Sequence, residues 1–238
     1  MEPLTLHETP KNPIIIEGFP GFGLIGTITT EFLIEHLKMR RIGHIYFPEI
    51  ASMVAIHNGD MVHPIGIFYN EEHNLVIVHI IANAQGLEHK IADQIMQLAS
   101  RTEASHIITL EGVAGEAKDG ATVFCYRNST ENPIADKLEE KGIKPLSEGI
   151  VMGVTSALML KARDLPLSAL FAMTHSQLPD SKASAEVIKV LDEMLGLQVD
   201  YHPLLKAAQI FEQKLKNIMT QTQNAMDEKQ KKQINYVG

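Results

Sequence analysis

The chain has 238 residues, 45% of them hydrophobic and 21% charged, with a formal net charge of -8 and a sequence pI near 5.8. That length and apolar fraction suit one large globular domain, or a domain with an appendage, rather than a disordered chain. The acidic balance argues against nucleic acid, which calls for a basic face, and no stretch approaches the roughly 18–20 unbroken apolar residues of a membrane span.

The first residues, "MEPLTLHETPKNP", have neither a basic start nor an apolar core, so no secretion signal is expected. A β-branched strand over 13–16 leads into "EGFPGFGLIG" and then a predicted helix over 24–40. "RIGHIYFP" (41–48) reads as a strand closed by Pro48, and "MVHPIGIFYN" (61–70) and "LVIVHIIA" (75–82) as two more strands around the polar turn "NEEHN". No helix is predicted between Pro48 and Ile81, which makes this part a hairpin or meander. An amphipathic helix over 86–101 places Leu87, Ile91, Ile95 and Leu98 on one face. Strands over 106–112 and 121–127 flank the loop "GVAGEAKDG". A helix over 132–142 has proline in its first turn and stops at Gly142. Then follow a helix (154–164), a strand (166–174) and a helix (181–196) ending at Gly196. This alternation argues an α/β sandwich on a mixed sheet, its long apolar strands buried on both faces. The single cysteine, Cys125, excludes an internal disulfide, reads as a core thiol, and suits a reducing, cytoplasmic setting.

The pattern changes after Pro203. Leu204, Ala208, Phe211, Leu215, Ile218, Thr222 and Ala225 recur in steps of four and three, a heptad-like seam in a segment whose lysines outnumber its acids. The expected division is a core over 1–200 and an amphipathic helix with a flexible tail over 203–238. A helix with one apolar stripe must lie on its own body or pair with another chain. Leu204, Phe211, Leu215 and Ile218 are the candidates for an oligomer contact.

Gly21, Gly23 and Gly26 spell G-x-G-x-x-G, the pattern that places a pyrophosphate on a helix N-terminus. Four residues, Glu17 to Pro20, separate the β-branched run from Gly21, and bulky Phe19 and Phe22 stand where phosphate must approach. Glu49 could act as the acidic residue of such a fold, but no crossover helix precedes Met61. No G-K-[ST] follows either, so a P-loop is excluded. The reading favoured by the residues is conformational: a sharp turn, and a helix set close to the sheet. "GVTSALML" (153–160) is not a nucleophile elbow, because Thr155 holds the serine place and Ala157 the last glycine; Ser156 reads as a helical hydroxyl. Histidines at 57, 63, 73 and 79 crowd the meander without metal-ligand spacing, so no metal is expected. Among Glu17, Glu111 and Glu116, Glu111 in "LEGVAGE" is the best candidate for a site carboxylate, since sites in α/β folds collect at strand ends.

"EGFPGFGLIG", "ANAQG" (82–86), "LEGVAGE" (110–116), "GVTSALML" and "THSQLPDSKASAEVIKVLDEMLGLQVD" (174–200) occur in the order seen in one family. Over roughly residues 12 to 200 the chain resembles the archaeal and bacterial relatives of proteasome assembly chaperone 2. The resemblance implies a three-layer α/β/α sandwich similar to nucleoside phosphorylases, with a C-terminal helical extension. It carries over no catalytic residue or cofactor. It implies a homo-oligomeric, ATP-independent factor that binds the α-subunits of the proteasome core particle.

It also directs attention to "QINYVG". Proteasome activators and chaperones dock a C-terminal hydrophobic–tyrosine–any tripeptide between α-subunits, a capture of the terminal carboxylate. Ile234, Tyr236, Val237 and Gly238 are therefore the partner-binding candidates. Tyr236 stands third from the end, with Asn235 before it, which displaces the carboxylate by up to about 3.5 Å. The alternative is a small-molecule site for a nucleoside- or phosphate-bearing ligand, using Gly21, Gly23, Gly26 and Glu111.

Overall fold

The structure, a computed structural model, describes residues 3–50, 54–57, 59–82, 85–115, 122–129, 132–174 and 178–206. After β1 (Leu4–Leu6) the chain takes β2 (Ile14–Gly18), a 3-10 turn (Phe22–Leu24) and α1 (Ile25–His36), and returns as β3 (Arg40–Ile45). A small hairpin, β4 (Ala55–His57) with β5 (Asp60–Val62), leads to β6 (Ile65–Asn70) and β7 (Leu75–Ile80). Then come α2 (Glu88–Thr102), β8 (His106–Ala114), β9 (Val123–Arg127), α3 (Pro133–Glu140) and β10 (Lys144–Pro145). The body closes with α4 (Gly153–Lys161), β11 (Leu167–Thr174) and α5 (Ser181–Leu195).

Among the described residues, nine strands form one mixed sheet in the order β1-β3-β6-β7-β2-β8-β11-β9-β10. At its centre β7, β2, β8 and β11 run parallel, while β6 and β9 flank them antiparallel. Alternate side chains serve two cores. Ile15, Val76, Val78 and Ile107 pack under α2 and α4; Ile16, Ile77, Ile108 and Leu170 pack under α1 and α5. All six residues of β7 are buried, and each buried Val, Leu or Ile contributes about 1.5–3 kcal/mol relative to exposure. The expected α/β/α sandwich on a mixed sheet is present.

Several expected boundaries move, for identifiable reasons. The helix predicted to reach Arg40 ends at His36: Lys38 takes a left-handed φ of 48°, Lys38 N–H donates to Glu35 O at 3.2 Å, and Met39 N–H to Ile34 O at 2.9 Å. This is a Schellman ending with lysine in the slot that usually holds glycine. Glu103 (φ 53°) ends α2 the same way. Gly142 does so after α3, and there the glycine made the stop legible. The strand expected over 61–70 divides at His63–Pro64 into β5 and β6, because proline has no N–H to continue a ladder. The short strands β1, β4 and β10 were not expected. Residues 202–206 are helical, and Leu204 packs against the core under α1 and α5. Phe211, Leu215 and Ile218 lie outside the described residues.

Candidate functional site

The parallel strands β2, β8 and β11 end at one edge of the sheet, and the glycine stretch crosses that edge. Beyond β2, Gly23 (φ 66°, ψ 5°) and Leu24 (φ 52°, ψ 27°) are successive left-handed residues. Leucine in that conformation costs about 1–2 kcal/mol, so the surroundings must hold it. They do. Asp180 N–H donates to Gly23 O at 2.9 Å. The Asp180 carboxylate accepts from Thr174 Oγ1 at 2.8 Å and from Ala183 N–H at 2.9 Å, capping α5. The first glycine turn and the start of α5 are thus one junction.

The glycines serve packing. A Cβ on Gly26 would stand 2.8 Å from Gly18 Cα, Leu110 O and Phe19 N, so α1 lies flush on β2 and β8. A Cβ on Gly112 would meet Phe22 O at 1.9 Å, and one on Gly21 would meet Glu111 Oε1 at 2.0 Å. Of the four candidate ligand residues, Gly21 and Glu111 come together. Gly23 forms the turn beside Thr174, and Gly26 is closed between helix and sheet.

Beside this junction is a cleft of about 460 Å³, walled by Phe19, Phe22, Met152, Ile150 and Met173, with Glu111 in it. Thr155 Oγ1 on α4 donates to Glu111 Oε2 at 3.3 Å, and the N–H groups of Phe22 and Gly112 also bond its carboxylate. Burial nevertheless dominates and raises Glu111 to about 7. The loop amide of Phe22 is thus already bonded to the protein's own carboxylate. On the same face of the sheet Glu17 is fully buried, and among the described residues neither of its carboxyl oxygens has a hydrogen-bond partner; nor does Thr109 Oγ1, opposite it in register. Burial, then the neighbouring Glu111, push Glu17 well above the usual carboxylate range.

Sequence reading reached Glu111 but missed Thr155 as its partner and the apolar walls around it. Ser156 is a helical hydroxyl, donating to Gly153 O at 2.8 Å. The histidines disperse. His79 bonds Thr30 Oγ1 at 2.8 Å and is lowered to about 4 by burial, whereas His63 stacks on His44 with ring centroids 4.1 Å apart. Among the described residues no group of three or more His, Cys, Asp or Glu is placed to hold a metal ion. Cys125 is buried in β9. Glu116, Ile234, Tyr236, Val237 and Gly238 lie outside the described residues.

A mixed sheet between two helical layers, the turn after β2 tied to α5, defines a three-layer α/β/α protein with a cleft at the carboxyl edge. The chain belongs to the PAC2 family, whose sequence model matches residues 15–219. It is 31% identical to Pyrococcus furiosus PbaA, an archaeal homolog of proteasome-assembly chaperone, with a TM-score of 0.82 over 97% of this chain and 98% of that one. Pyrococcus furiosus PbaB, an archaeal proteasome activator, shares the fold at 23% identity, with a TM-score of 0.76 over 91% and 98% of the two chains. The uncharacterized protein MJ0106 of Methanocaldococcus jannaschii is 27% identical over 230 residues, 95% of this chain and 94% of its own length.

Proposed function

We propose that this chain is a non-enzymatic proteasome assembly chaperone or adaptor. It works without ATP or a cofactor, as a homo-oligomer, and binds the α-subunits of the proteasome core particle. The observation that carries the reading is the likeness to PbaA over nearly the full length of both chains. The seam that starts at Leu204, itself packed on the chain's own body, and runs on through Phe211, Leu215 and Ile218 supplies the contact between copies. The segment holding Ile234, Tyr236, Val237 and Gly238 reaches the partner, the lysines at 229, 231 and 232 keeping it solvated.

Capture of purified α-subunits by the full chain, and by a version truncated after Gln233, tests both parts. The full chain is expected to retain α-subunits and the truncation to retain fewer. No retention by the full chain overturns the function, whereas equal retention overturns only the role of the last residues.

A further inference from the structure

We propose that the cleft at the carboxyl edge of the sheet docks a polypeptide segment presenting a lysine or arginine side chain between apolar residues, with Glu111 as the counter-charge. The site uses none of the residues assigned to the tail, and the proposal stands or falls without them.

The sign of the ligand follows from the lining. Among the described lining residues the ionisable groups are Glu111 and Glu148, both acidic. An anion would meet Glu111, which already takes the Phe22 and Gly112 amides. A cation meets an acceptor whose orientation is fixed by those two amides and by Thr155. Gly21, which leaves no room for a side chain beside Glu111 Oε1, holds the loop against that carboxylate. A buried carboxylate without a cation is costly, and an ammonium or guanidinium brought alongside removes much of that cost. Arginine suits the planar acceptor best, because it donates two parallel N–H bonds.

The rim decides the size of the ligand. Ile150 and Met152 stand 88% and 75% exposed, on the open side of the cleft. Side chains that large and apolar are covered by something that spans the rim, not by a molecule enclosed beneath it. A basic side chain reaching Glu111 with apolar neighbours on Ile150 and Met152 satisfies both requirements. Pairing of this kind gives specificity more than raw affinity.

The test uses the full chain and fluorescein-labelled octapeptides with the centre Leu-Lys-Leu or Leu-Arg-Leu, and with norleucine or glutamate in place of the basic residue. Anisotropy is read up to millimolar protein. The lysine and arginine peptides are expected to bind at least tenfold more tightly than the norleucine and glutamate peptides. Glu111→Gln is expected to remove that preference, bringing the lysine and norleucine peptides to within about twofold of each other. The double change Ile150→Ser with Met152→Ser is expected to weaken every peptide. Thr155→Val keeps the carboxylate and loses one donor, so it should lower the preference partway; it serves if Glu111→Gln folds poorly. Equal binding of lysine and norleucine peptides, no binding of either, or displacement of the lysine peptide by ADP in a Glu111-dependent way would each overturn the proposal.

Discussion

The N–H of Asp180 donates to the carbonyl of Gly23 at 2.9 Å, joining the first turn after β2 to the residue that caps α5. Two stretches far apart in the sequence are thereby one structural unit. The same aspartate holds Thr174 at 2.8 Å and accepts from Ala183 N–H, while its carbonyl accepts from Ser184 N–H at 3.0 Å.

Asp180→Ala therefore removes the cap of α5 and the acceptor of buried Thr174 together. The expected loss is about 2–4 kcal/mol, from roughly 1 for the cap and 1–3 for the stranded hydroxyl. Asp180→Asn keeps a capping oxygen and should lose less than half as much. Urea unfolding of the three proteins measures both; equal losses would deny the cap its share.

Glycine substitutions separate strain from collision. Gly86 has φ 85° and open space around it, so Gly86→Ala carries conformational strain alone and should cost about 1–2 kcal/mol. Gly26 is helical but has no room, so Gly26→Ala is an overpacking change of about 3 kcal/mol. A thermal melt in which Gly26→Ala is the milder of the two would contradict the close approach of α1 to the sheet.

The pH dependence has a definite sign at Glu17. Its folded proton affinity is raised well above the ordinary glutamate value. The folded state therefore holds a proton that the unfolded chain releases above about 4.3. Stability from this group is full at lower pH and declines as pH rises from there through the raised folded value. Glu17→Gln removes the titration, and its stability relative to the parent should rise as pH climbs above about 4.3. His79 and His106 act in the opposite direction: lowered to about 4 by burial, they withdraw stability as pH falls from about 6.5 toward 4.

The heptad-like seam makes a prediction about mass. Phe211→Asp with Leu215→Asp should lower the molar mass seen by light scattering while leaving the melting temperature of the body nearly unchanged. An unaltered mass would move the contact between copies away from this segment.

The central strands were legible because residues such as Leu75–Ile80 are buried on both faces and form unbroken apolar runs. The edge strand β1 has three residues and β10 two, too few for a pattern to stand out. Helix ends were legible where glycine occupied the left-handed position and overrun at Lys38, where the fold imposes it. In the site, Glu111 announced itself as an acid near a strand end. Thr155 could not, because its contact with Glu111 exists only once α4 is laid over β8.

The Asp180–Gly23 junction also bears on how the chain folds as it is synthesised. The turn holding Gly23 and Leu24 emerges early, yet the groups that stabilise its left-handed geometry, Thr174 and Asp180, emerge after nearly all of the body. Such a distant pairing raises the contact order of the fold and delays completion of the sheet edge. Until β11 and α5 arrive, Phe19 and Phe22 lack their finished surroundings, and that interval is when a nascent chain is most open to aggregation. The last helix of the body is, in kinetic terms, the fastener of its first turn.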